Sequence, residues 1–233
     1  MKILALETSA VSASVAVTEG EHLLAQTFQN RGLTHSATLM PMVTDLLKHT
    51  GLTLHEMDVI AVAAGPGSFT GIRIGVAAAK GLAWPEDKPC ASCSTLASMV
   101  WQCAHMGGEL WAVMDARRNQ VYNARFRVDN GILTRLTEDR AISVAELLEE
   151  LPAGELPPLL VGDGWTLLRD ACLERGVEIR IAPPHLCQQS AWGVAREGLV
   201  LAQQGKLVSA AEVVPQYHRL SQAERERMER QGT

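Results

Sequence analysis

Aromatic side chains are scarce in this sequence. They make up 4% of its 233 residues, with three Phe, two Tyr and five Trp. The interior therefore has to be assembled from small aliphatic residues, and its backbones must come close together. Apolar residues still reach 47% against 20% charged, which is ordinary for a folded core. The length suits one large domain or two small lobes. A disulfide framework is missing as well: Cys90, Cys93, Cys103, Cys172 and Cys187 are odd in number and irregularly spaced. Cys90 and Cys93 form a C-x-x-C, but no second pair completes a zinc site and Ala91-Ser92 between them suggests no redox chemistry. Buried thiols in a strand and its exit turn are expected, in a reducing, cytoplasmic setting. Basic charge is short: the net charge of −5 argues against a protein that holds nucleic acid alone, because phosphate binding needs a basic face. No stretch reaches the ~18 apolar residues of a membrane span. The first residues, Met1 to Glu7, are too short an apolar run for a secretion signal.

What is present reads as alternating strands and helices. Residues 2–7 are apolar and predict a buried strand; 11–18 alternate small polar and apolar residues, the period of a half-buried strand; Glu19-Gly20 is a tight turn and 22–29 a third strand. Residues 34–50 carry helical spacing, with Leu39, Val43, Leu46 and Leu47 on one face, Thr34 as N-cap and Gly51 as the stop. Pro41 inside that helix predicts a kink over 37–41. Residues 58–64 form a strand buried on both faces. A helix from about 71 to 83 ends before Pro85, and Gly71, Gly75, Ala79 and Ala83 repeat along one side of it. That stripe predicts the close approach of a second helix. Glycine in a helix interior costs about 1 kcal/mol against alanine, so Gly71, Gly75 and Gly81 each require a packing reason. A strand near 89–93 and a helix near 94–105 complete a first lobe, 1–106. Gly107-Gly108 opens a second, 107–220, with strands near 110–115, 121–128 and 131–137, a helix near 143–150, a turn segment from Pro152 to Pro158, a strand over 159–162, and helices near 164–175 and 190–204, the last returning toward the first lobe. The 221–233 tail is dense in Arg and Glu and predicts disorder. A three-strand meander followed by alternating helix and strand thus begins twice. That is a duplicated α/β lobe, truncated and irregular in its second copy.

The loop Gly65-Pro66-Gly67-Ser68-Phe69-Thr70-Gly71 opens a helix, a place where backbone N–H groups can cradle an anion. It lacks the G-x-x-x-x-G-K-[ST] pattern and any lysine at the phosphate position. A strand-to-helix turn capped by Ser68 or Thr70 is the expectation. Asp115-Ala116-Arg117-Arg118 reads as a salt-linked turn between strands, and Gly162-Asp163-Gly164 as a strand exit turn. His35, His49 and His55 are not spaced as a ligand set and are expected to be exposed or capping. The five Trp do not cluster with Lys or Arg, so no platform for stacking bases is evident.

The segment Gly65-Pro66-Gly67-Ser68-Phe69-Thr70-Gly71-Ile72-Arg73-Ile74-Gly75 resembles the signature of the TsaB (YeaZ) family, and family-like pieces stand in order around it: Leu4 to Ser9, His35-Ser36, Ser94-Thr95-Leu96, Asp115-Ala116-Arg117, Gly162-Asp163-Gly164 and Pro215 to Arg219. The resemblance implies a two-lobed actin/Hsp70/sugar-kinase-like (ASKHA) α/β fold. It implies a role in forming threonylcarbamoyladenosine at adenosine 37 of tRNA. The implied role is that of a non-catalytic partner of a TsaD-like catalytic subunit, working with a TsaE-like ATPase and meeting tRNA only through that complex. Interfaces in the family use first-lobe helices, so His35, Leu39, Val43, Leu46, Gly71, Arg73, Gly75 and Ala79 are the expected partner contacts; alone, the chain would use that face to form a homodimer. Kinases of this fold handle metal and phosphate with an acidic residue and hydroxyls at the first hairpin, which makes Glu7, Thr8 and Ser9 a vestigial nucleotide site. The sister enzyme carries an H-x-x-x-H metal pair; aligned by Pro89, Thr95 and Met99 stand at those positions and supply no imidazole. No catalytic residue, metal or cofactor is therefore expected. The alternative is an ATP-dependent transferase or kinase acting on its own.

Overall fold

The structure, a computed structural model, describes residues 1–151 and 157–219; most of the expected 152–158 turn segment and the 221–233 tail lie outside the described residues. The chain opens with β1 (Lys2–Glu7), β2 (Ala13–Glu19) and β3 (His22–Gln29), an antiparallel meander. Next come α1 (His35–Thr50), β4 (Val59–Gly65), α2 (Phe69–Ala83) and β5 (Cys90–Ser94). β4 and β5 add to β1 in parallel, giving the order β3-β2-β1-β4-β5. After α3 (Thr95–Trp101) the pattern restarts with β6 (Gly108–Asp115), β7 (Gln120–Asp129), β8 (Ile132–Arg135) and β9 (Arg140–Ser143). It continues through α4 (Val144–Glu149), β10 (Leu159–Val161), α5 (Trp165–Arg175) and β11 (Arg180–Ile181) to α6 (Ala191–Gln203). The second sheet runs β11-β10-β6-β7-β8, with β9 on β7. β7 and β8 form an antiparallel meander on β6, and β10 and β11 are parallel additions. The two sheets repeat one strand order, the duplicated two-lobed α/β architecture expected of the ASKHA fold. β9 and β11 were not foreseen.

Strand periodicity divides the first sheet into two faces. Leu4, Leu6, Val15, Val17, Ile60 and Val62 meet α1 and α2, while Ile3, Ala5, Ala16, Ala61, Ala63 and Ala91 meet α6. The second face is mostly alanine, so α6 lies close: a Cβ built on Gly198 would sit 2.9 Å from the Ala61 Cβ and 3.3 Å from the Ala91 Cβ. Gly193 presses in the same way on the Ser98 carbonyl of α3. In the second sheet Leu110, Ala112, Met114 and Phe126 face α3, and Trp111, Val113, Val121 and Leu160 face α4 and α5. Among the described residues no helix is long and apolar enough to cross a membrane.

Three expectations change here. The stripe on α2 meets a strand end, not a second helix: Cβ atoms on Gly71 and Gly75 would collide with the Thr8 carbonyl and hydroxyl, and Ala79 and Ala83 are sealed in the core. The expected partner contacts Leu39, Val43, Leu46, Gly71, Gly75 and Ala79 are consequently buried inside the chain's own core, because the apolar sides of α1 and α2 both turn onto the first sheet; Arg73 alone of that set faces solvent. His35, expected exposed or at an interface, is buried, with its Nε2 2.8 Å from the Ala10 carbonyl oxygen. The cap expectations divide: Gly51 takes a left-handed φ of 69° and its N–H donates back to Leu47 and Lys48, and the Ser68 hydroxyl accepts from the Gly71 N–H at 3.3 Å, but Thr34 stands at the N-cap of α1 with no side-chain cap bond. α1 continues unbroken through Pro41.

Candidate functional site

The C-terminal ends of β1, β4, β6 and β10 converge on one cleft of about 520 Å³ between the sheets. Ser9, Gly67 and Phe69 line it from the first sheet, Asp115, Arg117 and Asp163 from the second, and Tyr217 from the segment after α6. These residues are far apart in sequence and meet only because both sheets point their strand ends the same way.

On the first-sheet side the residues beneath the cleft are tied to one another. Glu7 is fully buried and its Oε1 accepts from the Ser9 N–H at 2.6 Å, while Oε2 has no partner. Burial pushes the Glu7 carboxyl up to about 7, against the pull of the Ser9 hydrogen bonds. The Thr8 hydroxyl donates to the Gly71 carbonyl at 2.8 Å, and the Ser9 carbonyl accepts from the Ser68 N–H at 2.6 Å. The glycine-rich loop is thus zipped onto Glu7-Thr8-Ser9. Of the three residues expected as a vestigial nucleotide site, Ser9 alone lines the cleft; Glu7 and Thr8 lie beneath it.

The second-sheet side is open. Asp163 follows β10 and accepts from the Gln189 side chain at 3.3 Å; burial raises its carboxyl, and Asp115 pushes the same way. Asp115 ends β6, accepts from the Arg117 N–H at 2.6 Å and pairs with the Arg117 guanidinium at 3.7 Å, the salt-linked turn expected. Beyond it Arg117, Arg118 and Asn119 hold φ angles of 66°, 54° and 57°. Three successive left-handed residues without a glycine store strain of roughly 1 kcal/mol each.

Residues 215–219 cross between the sheets. The Gln216 N–H donates to the Ala64 carbonyl at 2.7 Å. The Tyr217 ring stacks on Phe69 with centroids 4.3 Å apart, and its hydroxyl accepts from Arg73 Nε at 2.7 Å. The Arg73 guanidinium lies 3.9 Å from the Phe69 centroid. Arg219 donates to the carbonyls of Ala116 and Arg117, so one short segment joins α2 to the β6–β7 turn. Sequence reasoning did not assign Asp163, Phe69, Tyr217 or Arg219 to a site. The Asp-Gly at a strand exit and the run Tyr217-His218-Arg219 were the available signals.

All five cysteines are free and buried. Cys90 and Cys93 point to opposite faces of β5, into the α2-side and α6-side cores respectively, and burial raises both thiols, Cys90 to about 11. Thr95 and Met99 are buried in α3.

A family model described as "TsaD: tRNA N6-adenosine threonylcarbamoyltransferase" matches residues 29–225. The "tRNA threonylcarbamoyladenosine biosynthesis protein TsaB" of Bacillus subtilis (strain 168) is 34% identical over 99% of this chain and 100% of its own length. The protein of that name from Escherichia coli (strain K12) is 33% identical over 77% of this chain and 79% of its own. Among solved structures, YeaZ from Pseudomonas aeruginosa superposes with a TM-score of 0.79 at 26% identity, covering 93% of this chain and 99% of that one.

Proposed function

The chain belongs to the TsaB (YeaZ) family, and from that premise we propose that it serves threonylcarbamoyladenosine formation in tRNA as a non-catalytic partner of a TsaD-like subunit. A TsaE-like ATPase completes the assembly in this reading, tRNA is met within the complex, and the chain alone pairs with itself through the same face. The observation that carries the reading is the outer side of α1 and α2. With their inner sides spent on the first sheet, the two helices expose Ala37, Met40 and Pro41 on α1 and Ala77 and Gly81 on α2, with Trp84 just beyond. Trp84 is 68% exposed and Met40 41%, and the exposed small residues Ala37, Ala77 and Gly81 let a partner helix come close. The non-catalytic part is supported by the commitment of Glu7 and Thr8 to the clasp under the cleft.

Ala77→Arg tests this. Ala77 is exposed, so the fold should survive with an unchanged thermal midpoint, while binding to the TsaD-like subunit and stimulation of its modification activity should be lost. Normal assembly by the folded variant would show the face to be wrong. The open cleft with Asp115 and Asp163 favours a second reading, an ATP-dependent transferase or kinase acting alone. Tight ATP–Mg²⁺ binding by calorimetry, with turnover by the isolated chain, would establish it.

A further inference from the structure

We propose that the rim of the cleft, centred on Arg117 and Arg118, is a direct contact for the phosphate backbone of an RNA strand. This rests on the proposed role in tRNA modification and adds a tRNA-touching surface to this subunit. The chain is acidic overall, yet Arg117, Arg118 and Arg219 line one mouth with the stacked Phe69–Tyr217 pair, and Arg73 lies against that pair. The Arg117 side chain is 85% exposed, and Arg118 is exposed beside it. Both stand on the left-handed turn, a conformation that costs stability. Arg219 pins that turn through the carbonyls of Ala116 and Arg117, and Arg73 pins Tyr217, so the turn backbone and the ring are held in place before anything binds. Tyr217 is 41% exposed, enough for a base to rest against it.

The floor decides between a strand across the rim and a nucleotide inside. Asp115 and Asp163 stand below the arginines, and two carboxyls there repel a phosphate that enters deeply. A strand lying over the rim meets Arg118 directly and takes Arg117 from its 3.7 Å pairing with Asp115, while staying above the deeper Asp163.

The test uses the complex of this chain with its TsaD-like subunit and a tRNA that the complex modifies. Arg117→Gly with Arg118→Gly removes both cations and also relieves the left-handed backbone, so the thermal midpoint should hold or rise. The expected result is roughly tenfold weaker tRNA binding at ~0.1 M salt. The slope of log K against log salt should flatten by about 0.7 to 0.9 for each phosphate no longer neutralised. Arg117→Lys with Arg118→Lys should restore most of both. Unchanged affinity and slope in an assembled complex overturn the inference and leave the proposed function standing. Loss of assembly with the TsaD-like subunit overturns it too and moves the protein interface to this turn. Displacement of tRNA by millimolar ATP, with ATP binding weakened equally in the glycine variant, overturns it in favour of a nucleotide site. Failure of the complex without substitutions to modify tRNA at all is the separate failure of the proposed function.

Discussion

The two sheets share one strand order but finish their first strands in opposite ways. Glu7 at the end of β1 is sealed, bonded to Ser9 and roofed by the glycine-rich loop, whereas Asp115 at the end of β6 keeps 35% of its side chain exposed and looks into the cleft. The loop after β4 folds down onto Thr8 and Ser9. The turn after β6 stands up on three left-handed residues. One copy has become a clasp and the other has stayed a rim. Ligand contacts are therefore to be sought on the second-sheet side, and protein contacts on the outer helices of the first.

The severest way to break the comparison is at one tightly packed glycine on each side, Gly162 just past β10 and Gly71 in the first turn of α2. Gly162 has φ 121°, and a side chain there would overlap the Val113 carbonyl and the Met99 methyl; one on Gly71 would overlap the Thr8 carbonyl. Gly162→Val and Gly71→Val should each cost more than about 3 kcal/mol. In a chain of this size that lowers the melting point by roughly 6 to 12 °C. A clear difference between them, read by thermal denaturation, would show that one copy tolerates what the other does not.

The buried acid gives the next largest effect. Glu7 holds its proton up to about pH 7 when folded, against an ordinary glutamate value of 4.5. A raised carboxyl contributes its full stability below the unfolded value and loses it as pH rises through the folded one. The fold should accordingly weaken by about 3 kcal/mol between pH 4.5 and 7. Asp163 is shifted in the same direction and adds to the slope. The lowered carboxyls of Glu56, Glu86, Glu146, Glu150 and Glu212 act in the opposite sense and below that window. Glu7→Gln keeps the Oε1 acceptor for Ser9 and removes the titration. Its urea midpoint should fall much less steeply over this range, keeping the smaller slope that Asp163 and Glu197, also raised by burial, supply; a slope as steep as the parent's would place the cause elsewhere.

Local chemistry made much of this fold legible. The strands 2–7 and 22–29, the Ser68 cap and the Gly51 stop are each written in a few adjacent residues. β9 and β11, four and two residues long, are too short to carry a period. The inner stripes of α1 and α2 failed for another reason: helical periodicity says which residues share a face and nothing about what covers it, so Leu39 and Gly75 were given to a partner when their own sheet takes them. The cleft was hidden because Ser9, Asp115, Asp163 and Tyr217 have no spacing in common; only the duplicated topology brings them together.

The finest contrast lies within α2. Gly71 and Gly75 are required by Thr8, but a Cβ on Gly81 meets nothing within 4 Å. Gly81→Ala should therefore stabilise the free chain by about 0.5 to 1 kcal/mol, measurable as a higher urea midpoint. The fold then gives no reason for a glycine at an exposed helical position, and the reason falls to the outer face, where Gly81 lies one turn from Ala77. The same substitution should weaken binding of the TsaD-like subunit if a partner backbone rests there. Stabilisation with undiminished binding would leave the α2 face to Ala77 and Trp84 alone.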